Sequence, residues 1–148
     1  MADAKADTTG PEALIGVWKM VSCHAEVEGE AEPRYPLGQA PNGYLIVTKE
    51  RRLMALITTG EPRQPPKDDA DAAKLLRTLM GYSGRFEANA ERFITTPDTT
   101  ATGSYVGEKQ VRHYKVEGDR LTVRSGVQTM GLIPNRRAVT VNVFQREH

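Results

Sequence analysis

Apolar and polar residues alternate with a period of two along most of this chain, a pattern that predicts β-strands. Between residues 14 and 27, the alternation places Trp18 and His24 on one face of a first strand. It places Lys19 and Cys23 on the opposite face. Neither face is wholly polar, so we expect both faces to be partly covered.

Later stretches carry the same signal, and turn-forming residues separate them. Three predicted hairpins and a final strand span residues 44–59, 84–96, 106–127 and 135–147. The predicted turns lie at residues 49–52, 89–91 and 117–119. Together with the first strand, these segments give about eight strands in total.

One segment changes its period and predicts the only helix. Apolar residues recur there at helical spacing, at Ala72, Leu75, Leu76, Leu79 and Met80. Asp68 or Asp69 can cap the first amides of this helix, and Gly81 can end it. We expect an amphipathic helix, inserted between strands, that covers or braces the sheet.

Composition limits the function classes without choosing one. The 148 residues include 20 basic and 19 acidic side chains, for a net charge of +1, so no electrostatic footprint for nucleic acid or membrane is present. Cys23 is the single cysteine, and no internal disulfide can form. The first residues are polar and unlike a secretory signal, so we expect a cytoplasmic protein. We expect residues 1–12 to be a disordered tail and residues 13–148 to be one domain.

The strand pattern predicts an all-β fold, and we favour an eight-stranded up-and-down antiparallel β-barrel with one inserted helix. Short connections make neighbours in sequence neighbours in space. A sandwich would need Greek-key crossovers instead. A barrel of eight strands encloses room for its own side chains or for one small ligand.

Four segments stand out by their order and spacing, which cover the chain from Leu14 to Glu147: LIGVWKMVS, GYLIVTKERRLMAL, GYSGRFE and GEKQVRHYKVEGDRLTV. Together they resemble the bacterial and fungal lipocalin-like domain family, a calycin-like barrel family. The resemblance implies a lipocalin-like barrel with a small-molecule cavity. The sequence departs from the family pattern at Val47, where tyrosine is common, and at Thr95 and Thr96, where many members carry histidines.

Gln110, Arg112 and Tyr114 match the family's Q-x-R-x-[YF] strand and alternate onto one face. If that face looks inward, a guanidinium lies inside the barrel and needs a partner or a polar ligand. One interpretation is that Arg112 binds a carboxylate, enolate or phenolate beside Tyr114. The other is that Arg112 stacks on Trp18 and closes one end of the barrel.

Other candidate ligand-binding residues are a histidine and several aromatic residues. His24 shares the face of Trp18 and would lie at a barrel mouth, where it could exchange protons near neutral pH. Tyr44, Tyr82 and Tyr105 offer apolar area with one polar tip. His113 is expected outside the barrel.

The sequence lacks the motifs of metal, nucleotide and serine hydrolase sites, so we expect no metal and no cofactor. The first hypothesis is a binding protein whose apolar cavity holds a small hydrophobic, aromatic or polyketide-like ligand. The alternative is a cofactor-free isomerase, cyclase or decarboxylase acting on such a ligand. A third is a barrel filled by its own side chains. A homodimer through an exposed sheet face is left open.

Overall fold

The computed structural model describes residues 10–130 and 133–148, and it is a closed antiparallel β-barrel. A 3₁₀ turn, Pro11–Leu14, precedes the first strand, and one α-helix, α1, spans Asp69–Arg77. The strands are β1 Gly16–Val27, β2 Asn42–Val47, β3 Arg52–Thr58, β4 Leu79–Ala88, β5 Arg92–Thr100, β6 Gln110–Glu117, β7 Arg120–Ser125, β8 Gln128–Met130 and β9 Ile133–Glu147.

Eight of these strands close the barrel in sequence order, which confirms the predicted fold class. β1 to β7 pair with their neighbours, and β9 pairs with both β7 and β1. The short β8 pairs only with β9, beyond the end of β7. Closure gives each of the eight barrel strands a partner on both sides, and this protects strand edges that would otherwise be exposed.

The two ends of the barrel differ in their connections. At one end, which we call the closed end, tight turns join β2 to β3, β4 to β5 and β6 to β7. At the other, the open end, longer segments join β1 to β2, β3 to β4 and β5 to β6. The predicted turns at 89–91 and 117–119 both lie at the closed end.

The helix ends earlier than its apolar spacing predicts. Asp68 caps it, accepting a hydrogen bond from the Asp71 amide at 2.9 Å. Leu79 and Met80 were expected in the helix, but they begin β4, where they pair with Thr58 and Ile57 of β3. The ladder hydrogen bonds to β3 outweigh the helical spacing at these two residues, because a strand at this position closes the sheet.

A β-bulge in β1 overturns the predicted faces of its second half. Pairing with β9 shifts register between Met20 and Ser22, so the alternation restarts one residue later. Trp18 and Met20 point inward as expected, but Cys23 is then also inward and buried. His24 consequently lies on the outer face, and its expected place beside Trp18 is wrong.

The hydrophobic core fills the closed half of the barrel. Its largest fully buried side chains include Trp18, Leu14, Leu53 and Leu121. Phe86 and Phe93 pack edge to face there, with ring centroids 6.4 Å apart. The third hypothesis, a barrel filled by its own side chains, therefore describes this half.

The predicted tail, residues 1–12, lies largely outside the described residues. Of its last members, Pro11 and Glu12 belong to the 3₁₀ turn that leads Leu14 into the core. Within the described part of the chain, no helix is long and apolar enough to cross a bilayer.

Candidate ligand cavity

The open half of the barrel contains a cavity of about 370 Å³. Strands β4, β5, β6 and β9 contribute most of its wall, β1 and β8 contribute one residue each, and the end of α1 and the β5–β6 loop reach its rim. The helix thus lies at the mouth, as expected of a cover, and it contributes Leu76 and Arg77 to the lining.

The boundary between core and cavity runs at the same level round the barrel. On β6, Arg112 lines the cavity, while Phe93, its register partner on β5, is buried core. On β9, Asn142 lines the cavity and Phe144, two residues nearer the closed end, is core. Apolar packing therefore forms the floor of the cavity.

Arg112 lies in this wall without a carboxylate partner among the described residues. Its guanidinium donates to the Val111 carbonyl oxygen at 2.8 Å and to Gln110 Oε1 at 3.3 Å, both on its own strand. Burial lowers the pKa of Arg112, and the phenols of Tyr82 and Tyr105 oppose that effect. Arginine ordinarily titrates above pH 12, so the group is a cation facing the cavity at neutral pH.

Two tyrosines share the cavity with this cation, as the sequence predicts for Tyr82 and Tyr105. Burial raises the pKa of the Tyr82 phenol, and the nearby Arg112 charge only partly opposes the rise. Tyr105 lies at the mouth in the left-handed region, with φ of 65°, which is uncommon for a bulky residue. The Tyr82 phenol is therefore a neutral hydrogen-bonding group at physiological pH.

The bulge brings a thiol into the cavity that sequence reasoning had placed outside. Cys23 lines the cavity wall beside Asn142, its register partner on the adjacent strand β9. Burial raises its pKa to about 11, so the side chain is a thiol rather than a nucleophilic thiolate. Alternation along the sequence gives no sign of the bulge, so the inward position of Cys23 could not be predicted from it.

The polar and apolar residues of the lining lie mainly on different strands. The polar ones are on β5, β6 and β9, and they are Thr100, Gln110, Arg112, Thr140 and Asn142. The apolar ones are mainly on β4, with Leu79, Met80 and Tyr82, and Tyr82 pairs with Thr100 of the neighbouring strand β5. No Asp, Glu or His is among the described residues of the lining, so the charged groups there are Arg112 and Arg77.

Exposed apolar residues surround the mouth. Leu76 of α1 is 46% exposed, and Tyr105 of the β5–β6 loop is 44% exposed. Next to lining residues lie Val106 and Val127, which are also exposed. Apolar groups at the rim of a lined cavity are typical of a route by which a ligand enters.

Trp18, predicted to bind ligand, instead closes the other end of the barrel. Its Nε1 donates to the Leu14 carbonyl oxygen at 2.8 Å, and the guanidinium carbon of Arg146 lies 4.2 Å from the indole ring. The stacking arginine is thus Arg146, from the last strand, and not Arg112. Arg146 also donates to the carbonyl oxygens of Ile15 and Ala13, both at 2.8 Å.

Gly16 makes room for this arrangement. A Cβ atom at Gly16 would lie 2.6 Å from Arg146 Nη1, and the residue has φ of 146°. The G-x-W opening of the chain is therefore explained by the contact between Trp18 and Arg146 at the closed end.

The remaining predicted residues lie away from the cavity. On the outer wall, His24 is 3.5 Å from Glu26 Oε2 and lies near the ring of Tyr35. Tyr44 is also outside, where its hydroxyl accepts a hydrogen bond from Lys19 Nζ at 3.4 Å.

Tyr114 points inward, on the same face as Arg112, but nearer the closed end. Its hydroxyl donates to the Asn89 carbonyl oxygen at 2.6 Å, in the β4–β5 turn, and its ring packs on Phe93. The residues of the family motif therefore have different surroundings. Gln110 and Arg112 line the cavity, whereas Tyr114 holds the β4–β5 turn. The exposed His113 lies outside, as predicted.

A closed up-and-down barrel with one packed end and a lined cavity at the other defines the class of lipocalin-like barrels. The model of the lipocalin-like domain family matches residues 15–146, and the chain belongs to this family. No curated protein shows significant similarity to the chain.

Proposed function

We propose that this protein binds one small, largely apolar acid, of aromatic or polyketide-like structure, in the cavity of the open half. The observation that carries the proposal is the guanidinium of Arg112, which faces the cavity and contacts only neutral oxygens of its own strand. Membership of a lipocalin-like family supports ligand binding in general.

The electrostatics of the wall support an anionic group on the ligand. A buried charge is costly unless it is paired, and the described lining offers Arg112 no carboxylate. A carboxylate, enolate or phenolate would supply the missing partner through charge-assisted hydrogen bonds. Met80, Leu79 and the ring of Tyr82 would pack against the apolar part of the ligand.

The size of the cavity supports the same class of ligand. Its volume of about 370 Å³ lies at the lower end of the usual range for small-molecule sites, about 300–1,000 Å³. A fused two-ring or three-ring acid fits that range, whereas a long lipid would extend through the mouth.

Binding of 2-naphthoic acid and of its uncharged methyl ester, measured by calorimetry, tests this proposal. We expect the acid to bind and the ester to bind at least about tenfold more weakly. Arg112→Met should remove the preference for the acid and leave the fold intact, because no ion pair is broken. Equal affinities for acid and ester in the unmutated protein would contradict the proposal.

The matched control for Arg112→Met is Arg85→Met. Arg85 is an exposed arginine that faces outward on β4, so it carries the same charge outside the cavity. Its loss should leave both affinities unchanged. A similar loss of acid binding in both variants would indicate a general charge effect and not a site.

The alternative, a cofactor-free isomerase, cyclase or decarboxylase, shares the cavity and the cation. Arg112 with the phenol groups of Tyr82 and Tyr105 could stabilise an enolate that forms during such a reaction. The described lining offers no Asp, Glu or His to move a proton, so binding has the stronger support. Recovery of a ligand chemically unchanged after long incubation with the protein favours binding, and its conversion favours the enzyme.

The cytoplasmic location and the homodimer stay predictions. The outer faces of β2 and β3 carry exposed Ile46, Met54 and Leu56, which a second copy of the chain could cover. Sedimentation equilibrium of the purified protein checks the dimer.

A further inference from the structure

The loop between β5 and β6 holds a tyrosine in a strained backbone conformation. Three residues of this loop, Gly103, Tyr105 and Gly107, have positive φ, of 79°, 65° and 78°. Glycine adopts this left-handed region without steric cost, whereas a residue with a bulky side chain does so at a cost in free energy. The turn by itself would favour a third glycine, so it does not explain the tyrosine.

The side chain of Tyr105 is the large group that this loop contributes to the cavity. The loop residues in the lining are Thr102, Ser104 and Tyr105, and of these only Tyr105 carries a ring. Its phenol acts to raise the pKa of the Arg112 guanidinium, so the two groups are near each other. Because Tyr105 is still 44% exposed, packing within the chain does not account for the strain.

Hydrogen bonds hold the backbone of the loop in this conformation. The Gly107 amide donates to the Pro97 carbonyl oxygen at 2.9 Å, which ties the loop to β5. The Glu108 amide donates to the carbonyl oxygen of Tyr105 itself at 3.0 Å. Strain of this kind persists where surrounding contacts impose it, and such residues cluster at binding and catalytic sites. The backbone contacts therefore set the ring at the mouth in advance of binding.

We propose that Tyr105 covers the bound acid by stacking its ring on a flat aromatic part of the ligand, and so selects aromatic acids over saturated acids of the same skeleton. This inference rests on the proposed function and narrows its ligand to aromatic acids. Arg112 binds the acidic group inside the barrel, and Tyr105 contacts the ring system at the mouth. Stacked aromatic rings attract each other by more than their buried area accounts for, and a saturated ring lacks this term.

Two acids with one carbon skeleton test the inference by calorimetry. The probes are 2-naphthoic acid and decahydro-2-naphthoic acid, which carry the same carboxyl group on an aromatic and on a saturated ring system. We expect the unmutated protein to bind the aromatic acid more tightly, and Tyr105→Gly to reduce that preference about fivefold or more. Tyr105→Phe, which keeps the ring, should keep the preference.

Stability supplies a second readout, which separates a ligand-binding role from a structural one. Tyr105→Gly relieves the strain, so we expect its melting temperature to equal or exceed that of the unmutated protein while its binding is weaker. A residue that only stabilised the loop would lose stability on the same change. If Tyr105→Gly does not unfold cooperatively, Tyr105→Asn replaces it, because asparagine tolerates the left-handed region.

The matched control is Val106→Gly. Val106 is the next residue of the loop, is 54% exposed and is not part of the cavity lining. The control adds the same flexible residue to the same loop but removes no lining ring, so the preference for the aromatic acid should stay unchanged.

The outcomes separate the two proposals. If neither acid binds, both the proposed function and this inference fail. If the acids bind without a preference that Tyr105→Gly reduces, only the inference fails. It also fails if Val106→Gly reduces the preference to the same extent, or if Tyr105→Gly lowers the melting temperature.

Discussion

The closed half of the barrel and the open half are built from the same strands but from different side chains. At the closed end, Trp18, Phe86 and Phe93 fill the interior, and the polar groups of Arg146 and Tyr114 find partners within the chain. In the open half, Arg112 lines a cavity and hydrogen-bonds only to residues of its own strand. The closed half is therefore packed by the chain's own side chains, whereas the open half leaves space that the chain does not fill.

Arg146 and Arg112 both reach the inside of the barrel, from opposite halves, and their environments differ. Arg146 is held by two carbonyl oxygens and an indole ring, so it stabilises the fold. Arg112 hydrogen-bonds only to residues of its own strand, and on the proposed function the ligand supplies the partner for its charge.

The largest effect is expected from Trp18→Ala in the closed half. Removal of a fully buried indole should lower the free energy of unfolding by about 3–5 kcal/mol, measured by urea denaturation. The matched change in the open half, Met80→Ala, should cost much less, because Met80 is only half-buried and borders the cavity. Equal losses would break the distinction between the halves.

The next effect concerns the thiol of Cys23. Burial raises its pKa from 9.0 to about 11, so at pH 7 to 8 its thiolate fraction is about 100-fold smaller than in the unfolded chain. Alkylation by iodoacetamide should therefore be slow in the native protein and rise about tenfold per pH unit until about pH 11. A plateau near pH 9 would place the thiol in water. Bound 2-naphthoic acid should slow the reaction further, because Cys23 lines the cavity.

Arg146→Met should lower the free energy of unfolding by about 2 kcal/mol, because the carbonyl oxygens of Ala13 and Ile15 lose their donor. Urea denaturation measures the loss, and Arg85→Met on the outer wall serves as the neutral control. Ligand affinity should not change in Arg146→Met, since the cavity lies at the other end. A loss of affinity with unchanged stability would reverse the roles given to the two ends.

The smallest effect on stability is expected at the mouth. Leu76→Ser should change the free energy of unfolding by less than about 0.5 kcal/mol, because Leu76 is 46% exposed. It should nevertheless weaken binding of 2-naphthoic acid a few-fold, as read by calorimetry. Leu56→Ser, which alters an exposed leucine on the outer wall, should change neither quantity.

Most of the fold could be predicted from the sequence, because period-two alternation and turn residues depend on local chemistry. The hairpins turning at 89–91 and 117–119 are where the pattern places them. The helix was predicted too long, since Leu79 and Met80 fit a helical spacing but belong to strand β4. Only pairing with β3, which the sequence does not display, decides between the two.

The candidate site was less predictable, for two physical reasons. One inserted residue in β1 exchanges the faces of Cys23 and His24, and a period count cannot detect it. Facing inward also does not say how far along the barrel a side chain lies, so Trp18 and Tyr114 could not be separated from Arg112. Tyr82, Gln110 and Arg112 were predicted and do line the cavity, whereas Asn142 carried no motif.

The seam between β1 and β9 has a consequence for how the chain folds as it is made. β9 pairs with both β1 and β7, so one edge of each of these strands stays unpaired until β9 has been synthesised. Contacts that span nearly the whole sequence form slowly, because a long loop must close first. We therefore expect the strand edges of β1 and β7 to favour aggregation until β9 pairs with both of them.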